Sequence, residues 1–180
     1  IALYRDEFYA VIRQRANDYH ESSDVPRWRK FVEEHPELVV KGRFVRRSGT
    51  AEMDADGRGF SLAADPEKEF STVSARMPSF EYGKRYRLAW FIRAEDVKAA
   101  DKWGGLIATF RRGNDFKEDA LRAPRSGSVV GTTDWIRQTI EFTPAENVKE
   151  SGRFTQELNF NIVRATGRFR VRDITVEEIR

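Results

Sequence analysis

The stretch Tyr86-Arg87-Leu88-Ala89-Trp90-Phe91-Ile92-Arg93 decides the fold. Its alternation sets Tyr86, Leu88, Trp90 and Ile92 on one side and Arg87, Phe91 and Arg93 on the other, the pattern of a strand with one buried face. The turn Glu81-Tyr82-Gly83-Lys84 precedes it, and a loop ending in Gly104-Gly105 leads to a second strand over residues 106–111. Two consecutive strands with a glycine-marked connection predict an antiparallel sheet, whose apolar side the rest of the chain must cover.

Working upstream, residues 38–45 read as the first strand, with Gly42 at a bulge or a point of close approach. Ser48-Gly49 turns the chain, Gly59–Ala63 is a short strand, Asp65-Pro66 a turn and residues 70–77 another strand. Downstream, residues 112–128 are polar and form a long loop. Gly131-Thr132-Thr133-Asp134-Trp135 then opens a strand in which Ile136, Ile140 and Phe142 face one way. Residues 154–163 alternate again, and Gly167 opens a last strand carrying Phe169 and Val171. The register slips at Arg172-Asp173, so that a bulge returns Ile174 and Val176 to the same side. About eight short strands with no helix between them predict an all-β protein, a two-sheet β-sandwich.

The N-terminus is different. Tyr4, Phe8, Ile12 and Tyr19, with Val11 beside them, follow a helical period. Asp24 and Pro26 provide the cap and first-turn proline of a shorter helix with Trp28, Phe31 and Val32, which Pro36 ends. Residues 1–36 are therefore a helical segment, docked outside the sandwich or left from a preceding domain, and residues 37–180 form the β domain. Its mixed charges favour packing against protein over lying on a membrane.

Composition narrows the functional classes. The chain has 180 residues, 39% of them hydrophobic, with 13 Phe, 5 Tyr and 4 Trp, enough for one ordinary core. Its formal charge is +3, but 24 of its 32 basic residues are Arg, planar forks suited to carboxylates and phosphates. These alternate with Asp and Glu instead of forming a stripe, which argues against nucleic acid. The absence of Cys removes disulfides, zinc thiolates and thiol catalysis. No apolar run reaches membrane-span length and no leader peptide is visible. Beginning with Ile, the sequence is expected to be a piece of a longer polypeptide.

Taken in order, Tyr86-x-Leu88-x-Trp90-x-Ile92-Arg93, Gly104-Gly105, Gly131-Thr132-Thr133-Asp134-Trp135 with its strand to Phe142-Thr143-Pro144, and Gly167 through Glu178 resemble the jelly-roll carbohydrate-binding modules, families 4, 9 and 22 of the galactose-binding-like group. The likeness covers residues 38–180, and the Gly-Thr-x-Asp-Trp element is its most telling part. It implies a jelly roll attached to a secreted glycoside hydrolase, binding oligosaccharide or polysaccharide without catalysing anything, in an extracellular, periplasmic or cell-surface setting. It also implies a structural Ca²⁺ near the first and last strands, with Asp173 at the position of the aspartate that helps to hold it. The first strand departs from the pattern, because Lys41-Gly42-Arg43-Phe44-Val45 lacks the acidic ligand. The run Glu52-Met53-Asp54-Ala55-Asp56-Gly57 has the opening spacing of a calcium loop, but its twelfth position is Ala63, where a Glu is required.

No pair of carboxylates, nucleophile with base, or phosphate loop stands out, and His20 and His35 lack metal-pair spacing, so an enzyme is not expected. Sugar binding needs flat aromatic surfaces with amides and charges beside them. Trp103, in the loop before the second strand, is the first candidate and Phe91 the second; the resemblance implies that Trp135, at the position of the family's framework tryptophan, is a packing residue. The polar candidates are Arg87, Arg93, Arg111, Gln138, Asn159 and Asn161, set opposite the apolar rows. Gathered with Arg168, Arg170 and Arg172 on one face, they would suit an acidic glycan. The alternative is that these arginines pair with Glu141, Glu157 and Glu177 across strands. Two other functions stay open: a structural module packed on a catalytic domain, and a protein-interaction domain.

Overall fold

The computed structural model describes residues 25–81, 83–111, 128–143 and 157–180, with Arg111 described by its backbone alone. The expected helix over residues 3–19, His20, most of the long polar loop and the start of the strand expected at 154 lie outside these residues. Helix α1 spans Val25–Glu34, and a 3₁₀ turn follows at Pro36–Leu38. Nine strands come after among the described residues: β1 (Phe44–Ser48), β2 (Thr50–Met53), β3 (Gly59–Ala63), β4 (Phe70–Arg76), β5 (Arg85–Ala99), β6 (Gly105–Arg111), β7 (Ile136–Phe142), β8 (Glu157–Val163) and β9 (Ala165–Ile179).

They form two antiparallel sheets, one of four strands in the order β1-β4-β8-β6 and one of five in the order β2-β3-β9-β5-β7. The all-β sandwich is as expected, and so is the alternation that fills it. Tyr86, Leu88, Trp90 and Ile92 face inward with Phe60, Leu62, Phe169 and Val171, toward Val73, Leu106, Phe110, Leu158, Phe160 and Ile162 of the other sheet. Aromatic rings pack against one another within the core. Trp90 meets Phe160 edge-on at 5.3 Å, while Phe80, Tyr86, Phe110 and Phe142 cluster with centroids 4.4–6.0 Å apart. The slip at Asp173 is real: Thr175 pairs with Ala89 but Arg172 with Phe91, so β9 carries one extra residue and Ile174 regains the core.

Three expectations change. The strands built on Leu88 and Leu106 do not pair: β5 lies between β7 and β9, and β6 pairs with β8 in the opposite layer. Their connection crosses the sandwich, because β5 runs for fifteen residues to the rim, where Gly104 packs against the Arg164 carbonyl. The first strand is divided. Val39 and Val40 bond to β9, whereas Phe44 onward pairs with β4, and Gly42, with φ of 65°, marks the crossing. The acidic run at 52–57 also contains the end of β2, which makes a hairpin with β3.

Helix α1 lies on the outer face of the five-stranded sheet. Val25 and Val32 are buried there against Phe91, with Trp28, Phe31, Val39 and Trp135 around them. The Arg29 guanidinium sits over both Phe91 and Trp135, and that of Arg137 sits 3.6 Å from the Trp28 ring centre.

Candidate functional site

Once the core rows are assigned, the residues free to meet a ligand lie on two outer faces. The five-stranded sheet offers little of its own. Phe91 is only 3% exposed, so its expected role as a ligand platform is corrected: α1 turns this outward aromatic into a second small core. Arg87 bonds to Glu141 at 2.8 Å and reaches Glu177 at 3.5 Å, the cross-strand pairing that was the alternative to a ligand contact. The Arg87 and Arg85 guanidiniums hold the Glu141 carboxyl below its usual range, against the opposing effect of partial burial. Arg93 is exposed and stands opposite Arg170 on β9, and no ion pair engages Arg93 among the described residues.

Gln138 also departs from expectation. It stands opposite Trp90, shares the inward parity of Ile136 and Ile140, and is 4% exposed. There it accepts a hydrogen bond from the Trp90 indole at 3.1 Å, so it serves the core and does not lie on an outer face.

The outer face of the four-stranded sheet is more promising. Strand register sets its residues in rows across β4, β8 and β6: Phe70–Val163–Gly105, Thr72–Asn161–Ile107, Ser74–Asn159–Thr109 and Arg76–Glu157–Arg111. The structure thus brings Asn159 and Asn161 together, with the backbone of Arg111 two rows from Asn161. Both amides are engaged within the sheet. Asn161 Oδ1 accepts from the Thr72 hydroxyl at 2.9 Å and its Nδ2 donates to the Ile107 carbonyl at 3.1 Å. Asn159 Oδ1 accepts from the Ser74 hydroxyl at 2.6 Å. Arg47 crosses from β1 to Ser74 and ends on Glu157 at 2.8 Å, covering the third row.

The exposed aromatic of this face stands in the first row, and Arg76 is exposed in the fourth. Phe70 is 51% exposed on a face it shares with Val163, Ile107 and the polar residues Thr72, Ser74, Asn159 and Asn161. The loop with Trp103 leads into Gly105 at the same end, and exposed Val130 follows Val129, whose backbone pairs with Leu106. The Trp103 ring is half-buried beneath the Lys102 ammonium, and its backbone N–H is held by the Asp101 carboxylate at 2.8 Å. Arg164 pins the rim by pairing with Asp101 at 3.0 Å. Sequence reasoning missed Phe70, although its parity with Thr72, Ser74 and Arg76 carried the signal.

The residues around Asp173 do not fit a calcium ion. A Ca²⁺ site requires six or more oxygens with acidic groups among them. Here Asp173 accepts a 2.7 Å bond from the Arg58 guanidinium, and both oxygens of Asp54 are taken by Arg170 and Arg172. No group of three metal-ligating side chains occurs among the described residues. His35, bonded to Glu37 and with its ring tilted against that of Phe31, is a surface residue after α1.

No protein-family model and no curated protein matches the sequence. Solved structures do match in fold. The enzymatically active domain of tailspike protein 4 from bacteriophage CBA120 aligns with TM-score 0.55 at 14% identity, over 80% of this chain and 22% of that one, so this chain spans about a fifth of its length. The N-terminal cellulose-binding domain of Cellulomonas fimi β-1,4-glucanase C aligns with TM-score 0.53 at 15% identity, over 78% and 93% of the two chains. The first family 22 xylan-binding domain of Paenibacillus barcinonensis Xyn10C aligns with TM-score 0.50 at 8% identity, over 76% and 86%. The fold is that of the jelly-roll carbohydrate-binding modules.

Proposed function

We propose that this domain is a non-catalytic carbohydrate-binding accessory module of a larger, extracellular or surface-located carbohydrate-active protein. Its sugar site is the Phe70 end of the four-stranded outer face. The observation that carries the reading is the exposed Phe70 ring, at the end of a polar ladder and beside the Trp103 loop. A pyranose stacks its apolar face on such a ring, and the hydroxyls at its edge reach the Thr72 and Asn161 row. Similarity in fold to cellulose- and xylan-binding domains supports this choice of ligand class.

An acidic glycan is the finer form of the proposal. Arg76 stands on the same face, six residues along β4 and about 20 Å from Phe70, exposed and without an ion pair among the described residues. A uronate there would gain a bidentate partner. A second reading, a structural module without a ligand, is favoured by one observation: the Asn161 amide and the Asn159 side-chain carbonyl are hydrogen-bonded within the sheet.

Affinity electrophoresis on soluble cellulose derivatives, xylan and a polyuronate tests these readings. Retention that Phe70→Ala and Trp103→Ala each abolish, with the melting temperature kept, supports the site. Loss on the polyuronate alone with Arg76→Ala supports the acidic form. Wild-type protein that no gel retains leaves the structural reading.

A further inference from the structure

Three segments meet where the chain enters the sandwich: residues 39–42, the β2–β3 turn and the β9 bulge. Gly42 N–H bonds to the Gly57 carbonyl at 2.8 Å, Asp173 N–H to the Arg58 carbonyl at 2.9 Å and Val40 N–H to the Ile174 carbonyl at 2.8 Å. Side chains bind the same junction. Asp173 takes Arg58 at 2.7 Å, Asp54 takes Arg170 at 2.9 Å and Arg172 at 2.5 Å, and Asp56 takes Arg172 at 2.7 Å. Three carboxylates face three guanidiniums, so no surplus negative charge remains to draw a dication out of water.

We infer that Arg58, with Arg170 and Arg172, does the cross-linking that a bound metal ion does elsewhere, and that this sandwich folds independently of calcium. The geometry favours an internal cation. Arg58 follows Gly57, whose φ of 68° closes the turn, and the Asp56 carboxylate fixes the Arg58 N–H at 3.0 Å. The guanidinium is then delivered to Asp173, itself held in the left-handed region at φ 53° by the bulge. Both ends of the bridge are set by backbone, which lowers the entropy lost in forming it. This inference concerns the fold and stands apart from the sugar-binding proposal.

The test is thermal unfolding of the whole chain in about 5 mM EDTA and in about 5 mM CaCl₂, with calorimetric titration of CaCl₂ alone. A dication held by the native state would raise the melting temperature by mass action. The expected result is equal melting temperatures and no binding heat, with Arg58→Met lowering the melting temperature by about 3–6 °C. A fall in chelator, saturable heat of calcium binding, or an Arg58→Met protein as stable as wild type would overturn the inference. If Arg58→Met fails to fold, the wild-type measurements decide it.

Discussion

The Trp90 indole donates a 3.1 Å hydrogen bond to the Gln138 carbonyl oxygen across β5 and β7, where the two residues are 1% and 4% exposed. The largest side chain of the core therefore carries its polar atom inward, and the neighbouring strand provides an acceptor for it. Replacing Gln138 with Leu leaves the N–H buried and unpaired, which costs about 1–3 kcal/mol. Chemical denaturation should show that loss with an unchanged slope. Sugar retention should survive, because Gln138 does not reach either outer face.

Phe91 and Phe70 make opposite predictions. Phe91 lies between the five-stranded sheet and α1, so Phe91→Ala should cost about 3–5 kcal/mol by opening a cavity under the helix. Phe70 is half in water, and Phe70→Ala should leave stability within about 0.5 kcal/mol. Retention on glycan gels should be lost only in the second variant under conditions where both are folded.

Acid should weaken the β5–β7 edge. The carboxyl of Glu141 is held below its ordinary value of 4.5 by Arg87 and Arg85. A depressed native pKa stabilises the fold at pH above the unfolded value, and that stability disappears as pH falls below 4.5 through the native value. Melting temperature measured from pH 7 downward should therefore hold until about pH 5 and then decline. Glu141→Gln should start lower and decline less steeply.

Gly59 explains how the β3 edge can sit so close to β9. A Cβ there would strike the Val171 carbonyl and come within 2.6 Å of Asp54 Oδ2 and 2.8 Å of Arg172 Cγ. Gly59→Ala should push β3 from β9, disturb the Asp54–Arg172 pair and lower the melting temperature by several degrees, about 1–3 kcal/mol of overpacking. Gly83→Ala, with open space around its Cβ, differs in kind: only its φ of 76° opposes the change.

Much of the fold was legible because a period of two leaves a mark on composition. The rows Tyr86–Ile92 and Phe169–Ile174, including the slip at Asp173, follow from which side of a pleat each residue takes, and one buried face fixes that side. Gln138 was misassigned by polarity against parity: its place among Ile136, Ile140 and Phe142 already pointed inward. The site was less legible. Exposure of Phe70 depends on what lies over β4, and burial of Phe91 depends on a helix sixty residues earlier in the chain.

By itself, then, the sequence determined that the chain is built of alternating strands and which residues form its apolar rows. Only tertiary structure decided that β5 and β6 lie in opposite sheets, that α1 covers Phe91, and that Arg58 meets Asp173 across 115 residues of chain. The division has a physical basis. Side-chain alternation is a local property of one strand, whereas strand partners, covered faces and ion pairs are set by long-range packing, which leaves no periodic trace in the chain.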